Sequence, residues 1–179
     1  IYAAYGTGAR PVITPPEGVT ALAMADGCGD VHIYGVEIRG TTHSSGDYTS
    51  IGISIIGNSG PLYLEDVKIH EVTMGLQAQG QGGRVTSVKA WRCIFGRIRN
   101  GAGYGGDQHS QGTYIVGCDF AQFEECAFYE NGDKDQFSHG NYWVHDRDST
   151  RRFLKNVVIR PGMAGIQARG GLFEVRGNL

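Results

Sequence analysis

Two stretches of the chain carry nearly the same octapeptide. Asp107-Gln108-His109-Ser110-Gln111-Gly112-Thr113-Tyr114 returns as Asp135-Gln136-Phe137-Ser138-His139-Gly140-Asn141-Tyr142, with Asp, Gln, Ser, Gly and Tyr in matching places. Self-similarity at a period of roughly 20–50 residues marks a solenoid, in which each repeat buries its apolar side only by stacking on its neighbours. Weaker echoes extend the pattern at Gly52-Ile53-Ser54-Ile55, Gly75-Leu76-Gln77-Ala78 and Gly165-Ile166-Gln167-Ala168. After each glycine, apolar and polar residues alternate with the period of a strand. The inward positions are then Ile53/Ile55, Leu76/Ala78, Thr113/Ile115, Asn141/Trp143 and Ile166/Ala168. Trp143 is large for a place flanked by Ile115 and Ala168. The outward positions form one column: Ser54, Gln77, Tyr114, Tyr142 and Gln167.

A second alignment places Val67, Cys93, Cys126 and Val157 in one column and Ile69, Phe95, Phe128 and Ile159 in another. The unequal steps between them mean that loops of different length leave a constant strand scaffold. Cysteine acts in that column as a small buried apolar residue. None of the four cysteines shows CxxC spacing, which weakens zinc and dithiol readings. With 40% hydrophobic residues in a chain of 179, a real core is within reach, and 29 glycines mark many turns. The expected fold is all-β, a single-stranded solenoid of about five to six coils. Residues 30–179 are the expected stacked coils. Residues 1–29 are expected to be an irregular lead-in, with a short strand at Val12-Ile13 and a strand or capping turn at Ala21 to Met24. The last coil, with apolar Leu172, Phe173, Val175 and Leu179, reads as unfinished and predicts a fragment open at that end.

A net charge of -2 without a lysine or arginine block argues against a nucleic-acid partner. No run of some 18 apolar residues predicts membrane insertion, and no charged-then-apolar signal peptide is visible at the start.

The segments Val31-His32-Ile33-Tyr34-Gly35-Val36-Glu37-Ile38-Arg39-Gly40, Phe137-Ser138-His139-Gly140-Asn141-Tyr142 and Gly165-Ile166-Gln167-Ala168-Arg169-Gly170-Gly171 resemble right-handed parallel β-helix proteins of the pectate-lyase-like (pectin lyase-like) superfamily. The resemblance spans about residues 30–179. That superfamily includes polysaccharide lyases, glycoside hydrolases, uronan epimerases, viral tailspikes and non-catalytic adhesins. The resemblance implies a polysaccharide partner, a secreted or virion-surface location and, for a fibre or tailspike, a homotrimer.

A parallel β-helix offers a long shallow face suited to a linear polysaccharide. Tyr114 and Tyr142, one strand spacing of about 5 Å apart, can offer their rings to sugar C–H faces. Ser54, Gln77, Gln167 and His109 can hydrogen-bond its hydroxyls. The plainer reading is that the tyrosines stack on each other as a cross-strand pair. Elimination from a uronate needs a base for the carbon acid, a proton donor for the leaving oxygen and a cation for the carboxylate. His139, Tyr142 and Arg169 are the candidates for those roles. Asp107, Asp133 and Asp135 stand in or beside the loops that precede the repeated motif. They read either as turn caps or as an oxygen-lined Ca²⁺ site of the kind many polysaccharide lyases use on the substrate carboxylate. Glycoside hydrolysis needs two outward carboxylates roughly 5–10 Å apart. Glu124, Glu125 and Glu130 are available, but none belongs to the outward column. The sequence thus points to binding and β-elimination of an acidic polysaccharide, with a non-catalytic tailspike, fibre or adhesin as the alternative.

Overall fold

A short strand with apolar residues at alternate places buries one face and wets the other. Leu62–Glu65 does so with Leu62 and Leu64 buried, and the second half of Val85–Trp91 does so with Val88 and Ala90 buried while Lys89 and Trp91 stay exposed. A computed structural model of the chain describes residues 2–3, 8–41, 50–99, 110–132, 138–144 and 149–179. Its strands stack into three sheets, and every pairing among the described residues is parallel.

Sheet A has seven strands: Tyr2–Ala3, Val31–Tyr34, Leu62–Glu65, Val85–Trp91, Cys118–Glu124, Thr150–Leu154 and Leu172–Arg176. Sheet B has six: Val12–Ile13, Glu37–Arg39, Lys68–His70, Ile94–Gly96, Ala127–Tyr129 and Val157–Ile159. Sheet C has six: Leu22–Met24, Ile51–Ile56, Met74–Gln79, Gln111–Val116, His139–Val144 and Gln167–Arg169. The chain runs from A to B to C and back to A, one coil per circuit, as a right-handed parallel β-helix of about six coils. The lead-in takes part in this. Tyr2–Ala3, Val12–Ile13 and Leu22–Met24 each pair with the next coil, so stacking begins one circuit earlier than the hydrophobic pattern alone suggests.

The corner between sheets A and B is made by one residue in the left-handed region. Gly35, Asp66, Arg92, Glu125, Lys155 and Gly177 occupy it on successive coils, with φ between 52° and 67°. A second such column, Glu71, Arg97, Glu130 and Arg160, follows sheet B with φ between 47° and 58°. Left-handed backbone costs a non-glycine residue about 1–2 kcal/mol, so these corners persist because stacking fixes them. Their side chains point to solvent and pair along the stack: Arg92 with Glu65 at 2.7 Å, Lys155 with Glu124 at 2.9 Å and Arg160 with Glu130 at 3.3 Å.

Beside the first corner lies a column of inward side chains that corrects the sequence alignment. Ala127 pairs with Val157, so Cys126 stands opposite Asn156, and Phe128 stands opposite Val158. Val157 and Ile159 therefore do not belong to the columns of Cys126 and Phe128, and Ile159 is 51% exposed. The slip of one residue has a polar cause. Asn156 is fully buried because its Oδ1 accepts from the Cys126 N–H at 2.9 Å and its Nδ2 donates to the Phe123 carbonyl at 3.0 Å. Asn178 repeats both bonds one coil on, to the Asn156 N–H and the Phe153 carbonyl. Cys126 makes the same pair with sulfur, accepting from the Cys93 N–H at 3.4 Å and donating to the Ala90 carbonyl at 3.6 Å. Its thiol is thus a weaker substitute for an amide. Cys93, Cys118 and Cys126 are buried, Cys28 is half-buried, and all four are free thiols. Burial pushes the Cys118 thiol up to about 11, against the opposing charge of Arg151.

The repeated glycines have a steric reason. A Cβ on Gly52, Gly75, Gly112 or Gly140 would lie within 3.0 Å of the backbone carbonyl of the next glycine in the column, a distance real Cβ atoms do not reach. Inside, Trp143 is fully buried as the alternation requires. Its ring meets Phe123 at 5.1 Å and Phe153 at 5.6 Å, both from the inner side of sheet A. Arg151, which reads as part of a charged turn, instead points inward from strand Thr150–Leu154 and is fully buried opposite Ala121. The small partner leaves it room. Its guanidinium donates to the carbonyls of Thr150 and Val144.

Candidate functional site

The outward residues after the glycines form one ladder column. Ser54 pairs with Gln77, Gln77 with Tyr114, Tyr114 with Tyr142 and Tyr142 with Gln167. Beneath them, Thr113 and Asn141 face inward and hold the strands. The Trp143 Nε1–H donates to Thr113 Oγ1 at 2.8 Å, Thr113 Oγ1 donates to Asn141 Oδ1 at 2.6 Å, and Asn141 Nδ2 donates to the Gly165 carbonyl at 2.9 Å. A buried polar chain with every partner placed fixes the sheet from behind.

The column changes character along the helix axis. At its first coils it is committed to itself: Ser54, only 7% exposed, donates to Gln77 Oε1 at 3.4 Å, and Gln77 Nε2 donates to Gln79 Oε1 at 3.1 Å. Gln79 was not among the sequence candidates, although its place two residues after Gln77 on the same strand face would have given it. Further along, the rings of Tyr114 and Tyr142 stack at 5.7 Å with their planes 7° apart. Burial, and then the neighbouring Tyr142, push the Tyr114 phenol above its ordinary pKa.

Tyr142 is the centre of this end. His139 opens the strand His139–Val144, where alternation alone would set it with Asn141 and Trp143. Its ring instead stacks on Tyr142 at 5.6 Å, and only 7% of the residue is exposed. Arg169 is exposed and reaches diagonally back, so that its guanidinium lies over the Tyr142 ring at 5.3 Å. Gln167, next to Tyr142 in register, has a buried Oε1 with no hydrogen-bond partner among the described residues. An unpartnered buried acceptor is costly and fits a ligand hydroxyl that donates to it.

The structure therefore brings His139, Tyr142, Arg169, Tyr114 and Gln167 together and leaves Ser54 and Gln77 in a self-satisfied stretch of the same face. His109 and the three aspartates Asp107, Asp133 and Asp135 lie outside the described residues. Among the described residues no group of three or more His, Cys, Asp or Glu side chains is placed to hold a metal ion. The other carboxylates named from sequence sit elsewhere: Glu124 on the outer face of sheet A, Glu125 at the corner after it, and Glu130 at the corner after sheet B, where it pairs with Arg99 and Arg160. No family model, curated protein or solved structure gives a significant match to this chain.

Proposed function

We propose that this β-helix binds an acidic polysaccharide along the outer face of sheet C and cleaves it by β-elimination at Tyr142. The observation that carries the reading is the convergence on one tyrosine ring of an imidazole, a guanidinium, a second tyrosine and an unpartnered amide oxygen. In this scheme the sugar chain runs along the outward edges of the stacked tyrosines. Arg169 pairs with the uronate carboxylate, which acidifies the adjacent C–H. His139 takes the C–H proton, the electron pair forms the new C=C bond, and the bond to the leaving glycosidic oxygen breaks as Tyr142 protonates that oxygen. Such a surface acts outside the cell or on a virion, where long glycans are met.

Burial of His139 under Tyr142 favours a second reading, attachment without turnover on the same platform, as in a fibre or adhesin. Absorbance at the unsaturated-uronate band on alginate, pectate and chondroitin separates the two. Elimination predicts a rising signal in the parent chain, lost in both His139→Ala and Tyr142→Phe. Saturable binding with no signal on any of the three assigns attachment. Neither binding nor signal removes both readings.

A further inference from the structure

The outer face of sheet A carries a cleft of about 330 Å³, inside the range of roughly 300–1,000 Å³ typical of small-ligand sites. Two ladder columns form it. One runs His32, Tyr63, Lys89 and Gln122; the other runs Glu65, Trp91 and Glu124. Not one of these residues belongs to the sheet C set.

The charges in the cleft are unequally committed. Glu65 is held by Arg92 at 2.7 Å, and Glu124 by Lys155 at 2.9 Å and by Gln122 Nε2 at 3.0 Å. Lys89 differs. Its ammonium lies 5.1 Å from the centre of the Tyr63 ring and 5.5 Å from that of Phe120, and no carboxylate among the described residues is in ion-pair reach. Trp91 is 44% exposed yet fixed in place, with Arg92 over its ring at 3.8 Å and its Nε1–H donating to Glu125 at 3.1 Å. A fixed, exposed indole beside a cation that has no carboxylate partner among the described residues combines two features of ligand contacts.

Ligand chemistry follows from what each group lacks. Lys89 asks for one anion, and a single cation suits a carboxylate better than a phosphate chain, which draws clustered positive charge. The two glutamates accept from Arg92 and Lys155 and offer their remaining oxygens as acceptors, so the ligand must supply donors. Trp91 and Tyr63 ask for an apolar ring face. We infer that this cleft is a second saccharide site, taking a uronate residue of an oligosaccharide with its carboxylate on Lys89, its ring on Trp91 and its hydroxyls on Glu65, Glu124 and Gln122. The Lys155 hydrogen bond and charge hold the Glu124 carboxyl below its usual range, which suits it to accept from sugar hydroxyls rather than to act as the acid of glycosidic cleavage.

The site rests on sheet A alone and stands or falls separately from sheet C. The test is a titration of the full chain with oligogalacturonate, read by tryptophan fluorescence and by calorimetry, beside its methyl ester as the uncharged probe. Of the two tryptophans Trp143 is fully buried, so a ligand-dependent change in emission reports Trp91. Expected are a saturable change in the parent, at least about tenfold weaker binding of the acid in Lys89→Gln with the ester unaffected, and loss of both ligands from this site in Trp91→Ala. Lys89 is an exposed surface residue, so that variant keeps the fold. Tyr142→Ala leaves the emission change intact. An unchanged emission in the parent, or acid binding in Lys89→Gln equal to the parent's, overturns the inference. Calorimetric binding lost only in Tyr142→Ala does the same while leaving the sheet C reading in place.

Discussion

The outer faces of sheets C and A use the same scaffold in opposite ways. On sheet C neighbours in the column are committed to each other, with tyrosine stacked on tyrosine and a hydrogen-bonded chain from the Ser54 hydroxyl through Gln77 to Gln79. On sheet A the residue type changes at every coil, from histidine to tyrosine to lysine to glutamine in one column and from glutamate to tryptophan to glutamate in the other. Stacking of identical side chains on adjacent parallel strands is itself stabilising, so part of the sheet C column is explained by the ladder alone. Trp91 and Lys89 are instead held by unlike neighbours, Arg92 and Glu125 for the indole and the Tyr63 and Phe120 rings for the ammonium. The more regular face is the easier one to notice.

Trp143 tests whether the two faces are independent, because it hangs from sheet C and packs on Phe123 and Phe153 of sheet A. Trp143→Ala is expected to cost about 3–5 kcal/mol and to weaken ligand binding at both faces together. A melt by circular dichroism and the two binding assays check it; one face surviving intact would mean that they are held separately. Asn156→Ala comes next. It strands the buried Cys126 N–H and Phe123 carbonyl and is expected to lower stability by roughly 2–4 kcal/mol, read by urea unfolding.

Tyr142→Ala distinguishes ladder from site on sheet C. The stacking partnership with Tyr114 is worth about 0.5–1.5 kcal/mol in such pairs, so a modest fall in melting temperature is expected beside a complete loss of glycan binding at the sheet C face, the sheet A cleft keeping its own. Equal losses in both would make the column structural.

The smallest effect is pH. The Lys155 hydrogen bond holds Glu124 below the ordinary carboxylate value of 4.5, so its contribution is present above that value and fades as pH falls through the lowered one. Lys155 is raised above 10.5 by the same hydrogen bond, so its contribution fades only as pH rises through that raised value. Between those limits the pair is intact. Acid titration should shift Trp91 emission slightly, Glu124 being its neighbour in register. In alkali Tyr114 should ionise later than a free tyrosine, and Tyr142→Phe should bring that point part of the way back.

The strand scaffold and the sheet C column were legible because the glycine spacing, the alternation and the carbonyl clash that demands glycine all act within one strand. The Asn156 slip was not. An alignment of apolar residues has no place for an amide that is buried because it closes hydrogen bonds of the coil before it. Arg151 was missed for a similar reason: its burial depends on the small Ala121 opposite it on the preceding coil. The left-handed corners looked like ordinary charged surface, since Asp66, Arg92, Glu125 and Lys155 give no sign of φ. The cleft on sheet A combines residues from four coils, and only the register brings them together.

The amide column also gives the molecule a direction. Asn156 completes the hydrogen bonds of the coil that contains Cys126, and Asn178 completes those of the coil that contains Asn156. The circuits that carry Cys93, Cys126 and Asn156 are each closed by a side chain lying about one circuit later in the sequence, so a turn in this part of the stack is complete only when its successor is in place.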